Sequence, residues 1–277
     1  LDGQQYYYQN PLADDGTHRR ESWFGCACCP PNVARLLAQL PGYVYSVSTE
    51  GIWAHLYAQS TARLTLLDGQ PVELAVQTRY PWDGDVTVSV GSSGTWSLFL
   101  RIPGWCEQGA TLEVNGQRQD TALSPGSYIT LHRAWQAGDL VHLHLPMPVQ
   151  RLESHPYIAE NQGRIAIARG PLLYCLESAD HPNLDLRDVA LPRDAHLSAT
   201  YREDLLQGVV TISGQGRAIP TDSAWKQRLY RVARPDREKQ REQRSPIAVP
   251  LSFIPYYAWA NRQPGQMQVW VRQGSIS

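Results

Sequence analysis

Methionine is almost missing from this sequence: there are two, and the first is Met147. A chain whose first methionine lies past its midpoint is expected to be a processed or truncated piece of a longer protein. The opening LDGQQYYYQNPLADD has no basic, apolar leader, but for the same reason this says little about targeting. Net charge is nearly absent as well. The 25 Lys+Arg and 26 Asp+Glu leave a formal charge of −1, too little to gather nucleic acid or anionic lipid, so neither is expected as a partner. No apolar run approaches the roughly 20 residues that cross a bilayer, and no membrane is expected. The GxGxxG, GxSxG and HExxH patterns and the Walker-type phosphate loop are also missing, which argues against Rossmann cofactors, the usual alpha/beta-hydrolase elbow, ordinary zincins and P-loop chemistry.

What remains is a folded composition, 42% hydrophobic and 18% charged, with 9 Trp and 14 Tyr to build a core. At 277 residues, against about 100 to 200 per domain, two domains are expected rather than one. Of five cysteines, three crowd into positions 26, 28 and 29, while Cys106 and Cys175 stand alone. A disulfide framework spaces its cysteines to close loops, and the neighbours Cys28 and Cys29 are poorly placed to pair. Reduced thiols in a cytoplasm are the simpler expectation.

One early segment has helical spacing. Pro30 and Pro31 suit a first turn, where a missing N–H costs nothing, and Val33, Leu36, Leu37 and Leu40 recur at three- and four-residue intervals until Pro41-Gly42 stops the pattern. This solitary helix of about ten residues needs something to cover its apolar stripe, as the last helix of a larger helical domain would. From Tyr43 onward the period becomes two. Residues 87–90 (TVSV), 96–100 (WSLFL), 111–114 (TLEV) and 141–145 (VHLHL) predict half-buried antiparallel strands, and Asn115-Gly116 predicts a hairpin turn. The stretch 49–148 therefore reads as one β-sandwich, closed by another turn at Ala137-Gly138-Asp139. After Met147-Pro148, residues 163–170 (GRIAIARG) and 172–176 (LLYCL) begin a second strand-rich unit. Residues 231–244 carry six Arg/Lys against three Asp/Glu without interleaved aromatics, and read as a solvated linker or long loop.

The one dense chemical constellation is Cys26, Cys28 and Cys29 before the helix. The exposed N–H groups and positive end of a helix favour anionic sulfur, so Cys28 and Cys29 are candidates for a nucleophile or for metal ligands. Thiolates select zinc or iron–sulfur over magnesium or calcium, but structural zinc usually draws on separated pairs, and no second CxxC or HxxxH pair follows here. If a metal binds, a further ligand is expected from outside this chain. The bland alternative is three small residues packed into a tight turn. Weaker candidates are Glu21 and His18, next to a solvated Arg19-Arg20; His142 and His144, which share a strand face but lack a third ligand; and Tyr6-Tyr7-Tyr8, which could stack on a sugar or simply pack.

Four segments carry a more specific likeness. Residues 21–37 (ESWFGCACCPPNVARLL) resemble the cysteine signature of glycoside hydrolase family 127, the beta-L-arabinofuranosidase family; residues 158–164 (IAENQGR), 169–175 (RGPLLYC) and 254–262 (IPYYAWANR) are similar to its later segments, in the same order. The resemblance implies a mainly β fold: two β-sandwich domains preceded by the last segment of an (α/α)6 barrel. The expected divisions are a barrel remnant at 1–48, a first sandwich at 49–148, a second at 149–253, and a tail at 254–277 returning to the first. It further implies Cys28 as nucleophile, and Cys28 with Cys29 as ligands of Zn2+. The remaining ligands, a glutamate and a cysteine, and a separate acid/base glutamate are expected in a catalytic region upstream, so Glu21 is not given that role.

The activity so implied is retaining hydrolysis of non-reducing terminal beta-L-arabinofuranosyl residues from an oligosaccharide or glycoconjugate, with the present chain inactive by itself. A non-catalytic carbohydrate-binding or interaction module is the competing class, since β-sandwiches serve as such.

Overall fold

The computed structural model describes residues 3–26, 28–107, 109–218, 229–230, 232 and 246–274. It is mainly β, and the chain divides into two compact units, Phe24–Pro148 and the combination of Leu1–Trp23 with Val149–Ser277. No helix among the described residues is long and apolar enough to cross a membrane.

After a short strand β1 (Ala13–Asp15), which belongs to the second unit, the first unit opens with helix α1 (Cys29–Gln39) and a single further turn, α2 (Pro41–Val44). The expected stop at Pro41 is real, because the helix ends at Gln39, but Pro41 also starts the next turn. Strands β2 (Tyr45–Ser48), β3 (Gly51–Ala54), β7 (Gly94–Ile102) and β10 (Ser127–Trp135) form one sheet in the order β10-β7-β3-β2. A second sheet has the order β4-β5-β6-β11-β8-β9, from β4 (Ser60–Thr65), β5 (Pro71–Thr78), β6 (Asp85–Val90), β8 (Thr111–Val114), β9 (Gln117–Arg118) and β11 (Leu140–His144). Alternation buries Val72, Leu74 and Val76, then Val86, Val88 and Val90, then Val141, Leu143 and Leu145 from the second sheet in one core with Ile52, Leu98, Leu100, Trp96 and Trp135 from the first.

Two expectations need correction here. Residues 96–100 are not half-buried: Trp96, Ser97, Leu98, Phe99 and Leu100 are all buried, because Trp53 on β3 stacks on Phe99 with ring centroids 3.8 Å apart and covers the outer face. Nor is the pairing wholly antiparallel, since β3 runs parallel to β7 with Trp53 opposite Phe99. The Asn115-Gly116 turn forms as expected, with φ of 52° and 74°, the left-handed values a two-residue hairpin needs. Asn115 also joins that turn to the one at 137–139: its Nδ2 donates to Asp139 Oδ1 at 2.8 Å, and its Oδ1 accepts from the Leu140 amide at 2.8 Å.

The second unit holds β12 (Val149–Leu152), β13 (Arg164–Arg169), β14 (Leu172–Glu177), β15 (Val189–Leu191), β16 (Leu197–Arg202), β17 (Val209–Ala218), β18 (Ile247–Pro255), β19 (Gln266–Gln268) and β20 (Val271–Gln273), with β1 at its edge. All ten belong to one hydrogen-bonded sheet, and the pairings β14–β18–β17–β15–β20–β13–β14 close a circuit. Closure works because β13 and β14 change partners along their length. Residues 167–169 of β13 pair with β14 while Arg164 and Ile165 pair with β20, and residues 172–174 of β14 pair with β13 while Leu176 and Glu177 pair with β19.

The expected boundary at Pro148 coincides with the division between the units, but the ends of the chain lie elsewhere than expected. The described residues of the 254–277 tail, expected to return to the first sandwich, pair within the second unit instead. Its strands β19 and β20 take the hydrogen-bonding edges that β14 and β13 leave open, so backbone pairing keeps the tail in the second unit. Likewise the 1–48 block is split: residues 3–23 join the second unit through β1, which pairs with β19, and through Tyr7, stacked on Trp259 at 4.4 Å. Apart from Val232, the basic stretch 231–244 lies outside the described residues.

A charged cluster fastens this unit. Glu177 is nearly buried, at 5% side-chain exposure; its Oε2 accepts from Arg262 at 2.5 Å, its Oε1 accepts from the Ala260 amide, and Arg262 also grips both oxygens of Asp180 at 2.6 Å. Hydrogen bonds to Asp180, and then to Glu177, hold the Arg262 guanidinium firmly in its charged form.

Two outcomes are expected. The Asp139 carboxyl is held below the usual carboxylate range by the Gln136 amide and the Asn115 side chain. Its contribution to stability is therefore complete above the unfolded value of about 3.9 and is lost as pH falls through the lower folded value. Denaturation curves of wild type and Asp139→Ala should differ most near neutral pH and converge in acid. Arg262→Leu should destabilise the second unit by about 3 kcal/mol in urea unfolding, because it leaves the Glu177 carboxylate buried beside Asp180 with no cation.

Candidate functional site

The first turn of α1 has few amide N–H groups to be capped, because Pro30 and Pro31 have none. Pro30 and Pro31 supply the preset φ of helical residues, no acidic side chain sits in that turn, and the preceding residue, Cys28, makes no side-chain capping bond. Sulfur is what the sequence places there instead. Cys26, Cys28 and Cys29 are exposed, with Cys28 Sγ 3.1 Å from Cys26 Sγ and 3.4 Å from Cys29 Sγ. The turn is tied from within the helix by Asn32, whose Nδ2 donates to the Cys28 carbonyl at 2.7 Å while its Oδ1 accepts from the Arg35 guanidinium.

The structure thus brings Cys28 and Cys29 together, as their spacing required, and adds Cys26 to them. Asn32 had no role in the sequence reading; the signal that could have revealed it is an amide four residues after Cys28, one helical turn away. The other two cysteines differ in kind. Burial pushes the Cys106 thiol up and the Cys175 thiol up much further, which disfavours the thiolate that a nucleophile needs.

The weaker candidates are engaged elsewhere. In the second unit His18 Nδ1 lies 2.9 Å from Asp14, and Glu21 exchanges both backbone hydrogen bonds with Tyr6. Of the tyrosine run, Tyr7 is sandwiched, with Trp259 on one face and the Arg20 guanidinium 4.6 Å from its ring centre. Packing therefore accounts for Tyr7. In the first unit His142 and His144 are both about two-fifths exposed and share Asp85 Oδ1, at 3.3 and 2.8 Å. Asp85 was invisible as their neighbour because it comes from β6, brought alongside β11 by pairing.

The fit of a metal to the cysteine turn can be judged from its donors. Tetrahedral thiolate zinc with bonds of about 2.3 Å separates its sulfurs by about 3.8 Å. Cys28 and Cys29, at 3.4 Å, come within a few tenths of an ångström of that spacing. They are two soft donors of the four such a site takes; among the described residues no group of three or more His, Cys, Asp or Glu is arranged to hold a metal ion.

Comparison with known proteins places these features. Residues 1–42 match the beta-L-arabinofuranosidase GH127 catalytic domain, 51–147 the GH127 middle domain, and 149–272 the glycoside hydrolase family 127 C-terminal domain. A non-reducing end beta-L-arabinofuranosidase of Bifidobacterium longum subsp. longum is 35% identical over 99% of this chain and 43% of its own length. The crystal structure of a GH127 beta-L-arabinofuranosidase from Geobacillus stearothermophilus T6 superposes with a TM-score of 0.84 at 41% identity, over 98% of this chain and 43% of that one. A further GH127 beta-arabinofuranosidase structure gives a TM-score of 0.85 at 32% identity, over all of this chain and 43% of the other. The chain spans less than half the length of each of these relatives. Three successive matches in family order, together with the cysteine turn and the β-rich units they cover, show that the chain belongs to glycoside hydrolase family 127.

Proposed function

We propose that this chain carries the nucleophile of a retaining glycoside hydrolase that removes non-reducing terminal beta-L-arabinofuranosyl residues from an oligosaccharide or glycoconjugate. The observation that carries the reading is the exposed Cys28–Cys29 pair at the open end of α1, within the stretch that matches the family's catalytic domain. A module that only bound sugar through its sandwiches would have no use for such a turn.

Cys28 Sγ attacks the anomeric carbon, and the bond from that carbon to the leaving oxygen breaks as an acid delivers a proton to the oxygen. Water then attacks the same carbon, its proton passes to the conjugate base, and the Cys28 thiolate departs. Two inversions give net retention. The acid/base carboxyl and further metal ligands are assigned to the part of the family's length that this chain does not span, and the chain alone is proposed to be inactive. Cys28 and Cys29 would hold zinc, which supplies positive charge that keeps sulfur deprotonated at neutral pH. The residues of this chain do the positioning. Helix α1 places Cys28 just ahead of its first residue, and Asn32 pins the Cys28 carbonyl so that the nucleophile keeps one orientation. Exposed thiols suit a reducing compartment such as the cytoplasm.

In the complete enzyme, a mechanism-based beta-L-arabinofuranosyl inactivator should add its mass to Cys28 on peptide mapping. Cys28→Ser should abolish turnover while zinc, read by elemental analysis, is largely kept; Cys29→Ser should lower both. A label on another residue, or full turnover by Cys28→Ala, contradicts the assignment. Asn32→Ala should lower kcat by roughly tenfold or more through misplacement of Cys28, with the thermal unfolding midpoint nearly unchanged because the side chain is surface-exposed.

A further inference from the structure

The three sulfurs of the turn are not equivalent partners. Cys26 and Cys28 are the closer pair, 3.1 Å apart at Sγ, and both lie ahead of the first helical residue, Cys29. Backbone geometry separates the two possible unions with Cys28. Neighbouring residues have Cα atoms about 3.8 Å apart, below the roughly 4.4 to 6.8 Å that an unstrained disulfide spans, whereas residues two apart can reach about 7 Å. A Cys28–Cys29 bond would strain the turn and pull on α1; a Cys26–Cys28 bond would use only the segment before the helix. The remaining thiols are bystanders, since Cys106 and Cys175 are 2% and 0% exposed.

We propose that Cys26 and Cys28 form an oxidative modification site, in which a hydroperoxide converts the two thiols into a reversible disulfide. The Cys28 thiolate attacks one peroxide oxygen, the O–O bond breaks, and Cys28 becomes a sulfenic acid as the first water leaves. Cys26 sulfur then attacks Cys28 sulfur, the S–O bond breaks, and hydroxide leaves as a second water with the Cys26 proton. Two thiols and one hydrogen peroxide thus give one disulfide and two waters. In this role Cys26 protects its neighbour: it stops Cys28 at an oxidation level that a thiol reductant reverses, ahead of the sulfinic acid. The consequence for catalysis rests on Cys28 being the nucleophile as proposed above, but the disulfide itself does not.

The test uses the complete protein, reduced, stripped of metal with a chelator and treated with one equivalent of hydrogen peroxide. Trypsin cuts after Arg20 and Arg35, so all three cysteines of the turn travel in one peptide, residues 21–35. After oxidation that peptide should weigh two hydrogens less and accept one alkyl group, on Cys29, by fragmentation; dithiothreitol should restore alkylation of Cys26 and Cys28. In Cys26→Ser, and independently in Cys26→Ala, one equivalent of peroxide should instead leave one oxygen on Cys28, and a second equivalent should add another that resists dithiothreitol. A bond between Cys28 and Cys29, continued alkylation of Cys26 after oxidation, or identical oxygen adducts in wild type and both variants overturns the proposal. Turnover, measured after the chelator is removed and zinc restored to the oxidised, the dithiothreitol-treated and the untreated samples alike, separates the two readings. Loss that dithiothreitol reverses supports both, whereas a mapped disulfide with turnover intact supports the modification site and removes Cys28 as nucleophile.

Discussion

The proline-opened start of α1 is the constraint on which the site depends. A helix leaves its first N–H groups without internal partners, and globular proteins usually meet them with a Ser, Thr, Asp or Asn cap. Here prolines occupy the first turn, no acidic group stands in it, and cysteine holds the capping position without making a capping bond. Three sulfurs therefore stand exposed together at the start of the helix. Asn32 and Arg35 brace the turn from within the helix.

The two β units solve the problem of burying a sheet in different ways. The first lays two sheets face to face over a shared aliphatic core, and protects its central strand β7 on the outside with the Trp53–Phe99 stack. The second closes one sheet on itself, with β13 and β14 each dividing an edge between two partners. That division makes room for β19 and β20 in the sheet, and β19 in turn carries β1. Glu177, at the end of β14, is the charged counterpart of this closure: Arg262 and the Ala260 amide reach it from the connection between β18 and β19.

Much of this was legible from local pattern. The helix at Cys29–Gln39 follows from prolines and an aliphatic repeat, the hairpin at Asn115-Gly116 from a residue pair that tolerates left-handed backbone, and the boundary at Pro148 from a change in composition. The cysteine cluster was legible for the same reason, since its members are separated by no more than two positions. The aliphatic stripe of that helix is exposed: Val33, Leu36 and Leu37 are each at least half exposed.

What local pattern missed has one physical cause. Period-two alternation tells which residues share a strand face, but partner choice is settled by backbone hydrogen bonds between segments far apart in the chain. Trp53 covering Phe99, Asp85 beneath His142 and His144, and Tyr7 against Trp259 all depend on such pairing. So does the destination of the tail, whose strands went to whichever edges were open. The sequence by itself determined the helix, the β period, the turns and the clustering of the cysteines ahead of the helix. Only the tertiary structure decided which strands meet, that both chain ends share the second unit, and that Cys26 stands closest to Cys28, because side-chain distance depends on backbone torsions that residue spacing does not specify.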